Sequence, residues 1–500
     1  MTYKLFLRKI LSLVVVTALA FSFTSVATAE TDEKQTVASA DALYSEDVYN
    51  QKGNMSETKY EQLAEDINAQ LKECKEEVDI EKYGLENNEE NSNLIRNILS
   101  GELPECFHIS GQFSIMAVGN YIASIVPQYE YTKSQYDTML RECETKAEEL
   151  LSGIKDNDSL TTEEKLLIIH DRIALNCMYD PTPNQADIPH ISHTIYGVLG
   201  LGVAVCQGYA LTYGYLLDKI GIENSYCNSI ELKHAWNIVY IDGIPYHVDV
   251  TWDDPVGVSV GSVYHNNFLV STDTLRENDH NATDFDSTPT DTKYDNYFWQ
   301  DIQTAFVLAG NDIYYLDNKD AKVKRMTDNE AVVSVEDKWR LDDYKFWQGN
   351  FSLLATDGTD LIYNLSDAVY RYRLSTGTSR RIYSANLNEG ENIFGFAIEG
   401  DEMVIEVANH PGYQWATKVE TIRVPYSPAN PDKPDYAPGD INDDGFVDNE
   451  DIVTLSQYMA GWEVYCNQSA LDVNGDDSID LKDVIHLAKV VAEWEGYVAH

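Results

Sequence analysis

Apolar residues along this 500-residue chain change their period several times, and each change predicts a different element. A mainly apolar run from about Ile10 to Phe23 follows Lys4, Arg8 and Lys9 and precedes the small-residue pattern Ala27-Thr28-Ala29 before Glu30. The run is shorter than the roughly 20 apolar residues of a spanning helix and leads into a cleavage pattern, which predicts a secretory signal peptide over 1–29. No later run is long enough to span, so the expected mature chain is secreted, extracellular and free of the membrane. Residues 30–155 read as a helical region, on heptad-like stretches such as SETKYEQLAEDINAQLKECKEEV and YTKSQYDTMLRECETKAEELLSGI. Residues 156–298 mix helix and strand patterns. Over 299–424, short strands rich in Tyr, Ile and Val alternate with turns, and the phrases AGNDIYYL, TDGTDLIYNL and IEGDEMVIEV recur about 40 to 50 residues apart. That period suits propeller blades, but three copies fall short of a ring of about four to eight, so a propeller-like unit and a β-sandwich both stay open. Pro425, Pro428, Pro431, Pro434 and Pro438 make 425–438 a semi-rigid spacer, and 439–500 reads as an independent module.

The charge balance narrows the partners. With 36 basic and 83 acidic side chains the formal charge is -47, which disfavours nucleic acid and anionic lipid. The hydrophobic share of 43% is enough for packed cores. Seven cysteines show no short repeating spacing and are odd in number, so at least one thiol of an exported protein is left over.

Cys206 is the candidate for that thiol. In VCQGYALTYGYLLDKIGI, residues Cys206, Ala210, Tyr213, Leu217 and Ile220 form one stripe at helical spacing and Gly221 supplies a stop. Cys206 then opens a buried helix, where the dipole and unpaired N–H groups favour the thiolate. An inert core cysteine is the alternative. In HAWNIVYIDGIPYHVDVTWDDP, Asp242-Gly243 is a two-residue hairpin turn between apolar strands. If Ile241 pairs with Ile244, Trp236 faces Asp249, and His234 becomes its diagonal neighbour at roughly 7 to 8 Å between backbones. Asp249 can then hold the His234 imidazole while the other ring nitrogen meets Cys206.

The segments AVCQGYALTYGYLLDKIGI, HAWNIV and YHVDVTWDDP resemble, in order, the three core motifs of the transglutaminase-like superfamily, and LLIIHDRIALNCMYD is similar to the preceding helix of bacterial members. The resemblance covers residues 160 to 270. It implies a papain-like α+β core with Cys206 as nucleophile, His234 as general base and then acid, and Asp249 as orienter. The expected reaction is attack of the Cys206 thiolate on a peptide or carboxamide carbonyl, with a thioester intermediate passed to water or to an amine. Hydrolysis is favoured, because water needs no dedicated site. The substrate class is protein or peptide, and the chemistry needs no cofactor. The Cys206 backbone N–H is one expected oxyanion donor; the second is left open, with His193 in ISHTIYGVLGLG either that donor or a structural residue. Two other classes are kept: a catalytically silent adaptor or binding component, and a polysaccharide-degrading glycoside hydrolase, for which no segment presents an acid and nucleophile pair.

The loops DINDDGFVDNED and DVNGDDSIDLKD are each twelve residues long. Asp440, Asn442, Asp444, Asp448 and Asp451 occupy positions 1, 3, 5, 9 and 12 of the first, with the Phe446 carbonyl at position 7. Asp472, Asn474, Asp476, Asp480 and Asp483 repeat the register, with Ser478 at position 7. This is the oxygen spacing of an EF-hand-like loop, and it predicts two Ca2+ ions. Apolar stripes follow each loop, over Ile452, Leu455 and Met459 and over Val484, Leu487 and Val491. Position 12 is Asp where the usual loop has Glu, and Asp477 stands where Gly is usual in the second loop. The duplicated loop-helix unit, Gly461 and the preceding spacer resemble a dockerin. The resemblance implies calcium-dependent docking onto the cohesin of a scaffoldin in a cellulosome. The expected architecture is therefore multidomain: a helical N-terminal region, an α+β papain/transglutaminase-like core, a β-rich propeller-like or sandwich domain, and a small α-helical dockerin.

Overall fold

A computed structural model describes residues 35–40, 56–254, 256–257, 259–337, 339, 350–412, 415–426, 438–442, 447–462, 464, 466–467, 470–476, 478–494 and 496–499, with backbone only at 35–40, 57 and 102. The chain divides into two compact units, residues 1–256 with 264–301 and residues 257–263 with 302–500. The signal segment lies outside the described residues, as do Pro428, Pro431 and Pro434 of the spacer. Among the described residues no helix is long and apolar enough to cross a membrane. None of the seven cysteines is bridged to another.

The first unit opens with strand β1 (Gln35–Ala40), helix α1 (Glu57–Lys72), strand β2 (Val78–Asp79) and helix α2 (Glu89–Asn97). Strands β3 (Ile109–Val118) and β4 (Tyr121–Tyr129) follow, in a sheet of order β1-β3-β4-β2. The N-terminal region thus adds a four-stranded sheet to the expected helices. Phe113, Ile115 and Ala117 are buried at a period of two along β3, while Gly119 turns the chain at a φ of 58° into β4. Leu63, Ile67 and Leu71 of α1 share a core with Ile115, Ile122 and Ile125 of that hairpin. Helices α3 (Lys133–Leu150) and α4 (Thr162–Asn176) each start on a capping box, Thr132 with Gln135 and Thr161 with Glu164.

Two short parallel strands, β5 (Met178–Tyr179) and β6 (Val203–Ala204), lead into helix α5 (Cys206–Lys219). Every residue from Gln207 to Leu217 is buried, so the α5 stripe sits in a helix covered on all sides. Gly221 closes it at a φ of 72°, and the Ile222 N–H returns to the Leu217 carbonyl at 3.1 Å. Gly208 has a packing reason: a Cβ there would meet the Ser192 carbonyl oxygen at 2.8 Å and the Ala204 Cβ at 2.9 Å. Strands β7 (Asn224–Ser229), β8 (His234–Ile241), β9 (Ile244–Val248) and β10 (Phe268–Val270) form an antiparallel sheet of order β10-β9-β8-β7. Asp242 and Gly243 turn β8 into β9 at φ of 53° and 77°, and Ile241 pairs with Ile244 as the two-residue turn requires. Helices α6 (Val250–Asp253) and α7 (Thr272–Glu277) complete the unit's named elements.

Among the described residues the second unit holds three antiparallel sheets: β11 (Val307–Ala309) to β14 (Ala331–Ser334) through β12 (Asp312–Asp317) and β13 (Lys322–Arg325); β15 (Leu354–Thr356) to β18 (Thr378–Ser384) through β16 (Leu361–Asn364) and β17 (Ala368–Arg373); and β19 (Asn392–Glu399), β20 (Glu402–Ala408) and β21 (Val419–Pro425). The three repeated phrases fall on the first hairpin of each sheet, β11-β12, β15-β16 and β19-β20. Ile362, Val369, Ile393, Phe396 and Ile405 form a core shared by the second and third sheets. Helices α8 (Asn449–Met459) and α9 (Leu481–Val491) end the chain's named elements. Leu455 and Leu487 are wholly buried there with Ile441, Leu471 and Val473, and Ile452, Val484 and Val491 pack against them. Met459 departs from its expected stripe and is exposed.

Candidate functional site

Cys206 is the first residue of α5, behind the extended Val205, whose side chain offers no cap. Cys206 therefore stands at the positive end of the helix dipole, and it is half-buried. His234 opens β8, and Lys233 just before it has a φ of 52°. Its Nε2 lies 2.5 Å from Asp249 Oδ2, which leaves Nδ1 for the interaction with Cys206. Burial pulls the His234 imidazole down, but the Asp249 carboxylate outweighs it, Cys206 adds to the rise, and the ring reaches about 10.

Asp249 is wholly buried and caps the N-terminus of α6. Its Oδ1 accepts from the Thr251 N–H at 3.0 Å and the Trp252 N–H at 3.2 Å. Burial pushes its carboxyl up, but His234 and His280 hold it well below the usual carboxylate range. His234 and Asp249 thus meet, as the hairpin register predicts, and Cys206 acts on the His234 ring from the start of α5.

His280 is the addition. Its Nε2 lies 2.8 Å from the same Asp249 Oδ2, and its Nδ1 lies 3.2 Å from the Asn278 carbonyl oxygen. It sits in the loop after α7, where neither helical nor strand periodicity marks it. Two tryptophans frame the imidazoles. Trp252 lies 5.2 Å from His234 and 3.9 Å from His280 between ring centroids, and Trp236 lies 5.6 Å from His234 on a near-parallel plane. Tyr179 belongs to the same neighbourhood: burial and then Cys206 raise its phenol. His193 is held down to about 4 by burial, with His190 adding to the effect.

Chemically, a buried carboxylate fixes one imidazole nitrogen and favours the imidazolium, which in turn favours a thiolate beside it. The donors of His234, Asp249 and His280 lie within 4.8 Å of one another, as do those of His170, Asp171 and His265. Imidazole and carboxylate are the donor types zinc uses. The nitrogen-to-oxygen distances within both groups are those of hydrogen bonds, 2.5 and 2.8 Å in the first and 2.7 and 3.0 Å in the second.

The acidic loops are legible in part. Asp444 and Phe446 of the first, and Asp477 of the second, lie outside the described residues. Asp440 and Asp451 are wholly buried. Asp440 meets the Arg380 guanidinium. Asp451 Oδ1 accepts from the Ile441 and Asn442 N–H groups at 2.6 and 3.0 Å, while Oδ2 accepts from Asp448 at 2.8 Å. In the second loop the wholly buried Asp483 accepts from Asn474 Nδ2 at 2.8 Å and from the Asp480 N–H at 2.8 Å. Asp472 Oδ1 gathers the Gly475 and Asp476 N–H groups at 2.9 and 3.1 Å, and Asp476 Oδ1 accepts from Ser478 at 3.1 Å. Lys482 Nζ lies 3.1 Å from a carboxylate oxygen of both Asp476 and Asp480. Buried carboxylates gathered in two loops of one register fit a hard cation.

Residues 438–491 match the Dockerin type I domain family. Among solved structures, one titled "Crystal structure of a TGase" aligns at 13% sequence identity and a TM-score of 0.20, over 30% of this chain and 46% of that one. The chain thus spans less than half the length of that structure, and so faint a likeness leaves fold and activity to the residues themselves. No curated protein matches the chain.

Proposed function

We propose that the protein is a secreted, transglutaminase-like cysteine enzyme acting on peptide or carboxamide bonds, carried to its substrate by the C-terminal module. The observation that supports this reading is the 2.5 Å contact of His234 Nε2 with Asp249 Oδ2, with Cys206, first residue of α5, acting on the same ring. Cys206 attacks the carbonyl carbon as the thiolate, and His234 Nδ1 delivers a proton to the leaving nitrogen, giving a thioester. The oxyanion falls near the backbone N–H groups that open α5. Water, activated by the now neutral His234, releases the acyl group and regenerates the thiol. An amine in place of water gives a new amide, and hydrolysis is favoured because water needs no dedicated site. Asp249 stays ionised throughout and keeps His234 in one tautomer.

Dockerin type I domains bind calcium and dock onto scaffoldin cohesins, which makes this protein an extracellular, cellulosome-associated component. Within that frame, Asp440, Asn442, Asp444, Phe446, Asp448 and Asp451 would hold one ion, and Asp472, Asn474, Asp476, Ser478, Asp480 and Asp483 a second. An ion in each loop would supply the positive charge that the buried carboxylates Asp440, Asp451 and Asp483 face. The reading assigns 156–298 to the catalytic domain and 299–424 to a β-rich, propeller-like or sandwich domain.

The test is intact-mass analysis of wild type and Cys206→Ala with a panel of peptides and glutamine-containing proteins, with and without a primary amine. Cleaved fragments absent from the variant support a cysteine peptidase, and amine adducts a transglutaminase. Neither product, together with a Cys206 that resists alkylation, would leave a scaffold-docked adaptor.

A further inference from the structure

A second buried histidine-carboxylate group lies behind the candidate site, at the other end of the helix that carries Asp249. Helix α6 is four residues long, from Val250 to Asp253. A helix that short does not hold itself, because it spends more backbone entropy than its few hydrogen bonds return. Its position is fixed by what grips its ends. Asp249 grips the N-terminal end, as described. At the other end Asp253, wholly buried, accepts from the Asn267 backbone N–H at 3.1 Å and from Asn267 Nδ2 at 3.0 Å. The carbonyl of the same Asn267 accepts from the Asp249 N–H at 3.0 Å, so one residue ties both ends of the helix.

A carboxyl group with no exposure needs a partner, since a buried carboxylate left unpaired is costly. The group that faces it is His170 of α4, whose Nε2 lies 3.3 Å from Asp253 Oδ2, an ion-pair distance. His170 Nδ1 lies 2.7 Å from Asp171 Oδ1, and that oxygen also meets His265 Nε2 at 3.0 Å. His170, Asp171, His265 and Asp253 are all fully buried. Burial pulls the His170 ring down, but Asp171 and Asp253 outweigh it and lift it to about 9, so His170 is the cation between two carboxylates.

We propose that His170 and Asp253 are positioning residues for the candidate site: the His170 imidazolium, oriented by Asp171, neutralises Asp253 and holds α6, and α6 holds the Asp249 carboxylate against His234. The inference rests on the proposed reading of Cys206, His234 and Asp249 for its catalytic consequence. Its structural content stands on the α4 to α6 contact alone. Loss of His170 leaves Asp253 buried without a counter-charge, α6 shifts, and the Asp249 to His234 hydrogen bond lengthens.

Two readouts on the full-length protein separate this inference from the enzyme reading. The first is hydrogen-deuterium exchange at the Thr251 and Trp252 amides, which end on Asp249 Oδ1. In His170→Ala they exchange about tenfold faster or more, while the α5 amides do not change. The second is the pH profile of Cys206 alkylation by iodoacetamide, resolved by peptide mass spectrometry. In His170→Ala the profile moves upward by about one pH unit, equal to about tenfold slower alkylation on the acid limb of the profile. His170→Gln keeps an N–H donor toward Asp253 and restores most of both readouts, which a general loss of stability would not do. If His170→Ala fails to fold, Asp253→Asn takes its place, with the same two shifts expected. A folded variant with wild-type protection at Thr251 and Trp252 overturns the inference. A wild-type Cys206 that titrates as an ordinary thiol overturns the enzyme reading instead, and the exchange measurement still decides the positioning.

Discussion

His280 and His234 converge on one oxygen: their Nε2 atoms lie 2.8 and 2.5 Å from Asp249 Oδ2, while Oδ1 is given over to the Thr251 and Trp252 amides. Four donors thus surround one carboxylate with no exposure. A carboxylate so enclosed stays ionised, and it stays where its donors put it.

His280→Ala removes one donor and leaves the Asn278 carbonyl and part of Asp249 unpaired. The expected cost is about 1–3 kcal/mol of stability with a several-fold slower Cys206 alkylation near neutrality. Urea unfolding and alkylation kinetics check both, and His280→Gln should recover part of the loss.

The His234 ring is raised from 6.5 to about 10. A raised group stabilises the fold fully below its unfolded value, and the contribution is lost as pH climbs through the folded value. Stability in wild type should therefore decline between about pH 6.5 and 10 more steeply than in His234→Gln, by up to about 1.4 kcal/mol per pH unit. The lowered Asp249 carboxyl acts in the opposite sense, its contribution being present above about pH 4 and lost as acid reaches its folded value. Urea unfolding at pH 6, 7, 8 and 9 reads the difference, and parallel curves for the two proteins would refute it.

Gly208→Ala places a methyl 2.8 Å from the Ser192 carbonyl oxygen, a backbone atom that cannot step aside alone. A cost of about 1–3 kcal/mol follows from overpacking. The first turn of α5 is displaced, so Cys206 alkylation slows with it. A thermal shift and the alkylation rate at pH 7 test the two effects together.

Calcium titration by calorimetry should give two binding events in wild type and one in Asp472→Ala. Removal of calcium with a chelator should lower the helical signal of α8 and α9 and abolish cohesin capture, with both restored on adding the ion back. A cohesin pull-down that is indifferent to chelator would contradict the assignment of the loops.

How much was legible in advance depended on how far apart the deciding residues lie. The start of α5 at Cys206 follows from a stripe within one helix and a glycine just past its end. The meeting of His234 and Asp249 follows from the turn, because Asp242-Gly243 admits only one register and the alternation of side chains then fixes the face. The β3-β4 hairpin was harder to see. Its period of two is confined to alternate positions near Phe113, between long heptad-like helices, and its burial depends on Leu63, Ile67 and Leu71 arriving from α1.

The sequence by itself determined the start of α5 at Cys206, the facing of His234 and Asp249, the shared register of the two acidic loops and the strand phrases of the second unit, since each is written in local spacing that secondary structure converts into a shared face. Only the tertiary structure decided what surrounds Asp249 and α6. His280 reaches Asp249 from a loop 31 positions later in the chain, and His170 reaches Asp253 from a separate helix. Contacts of that kind arise when packing excludes water and buried charges are left to find one another, and no periodicity in the chain encodes which ones meet.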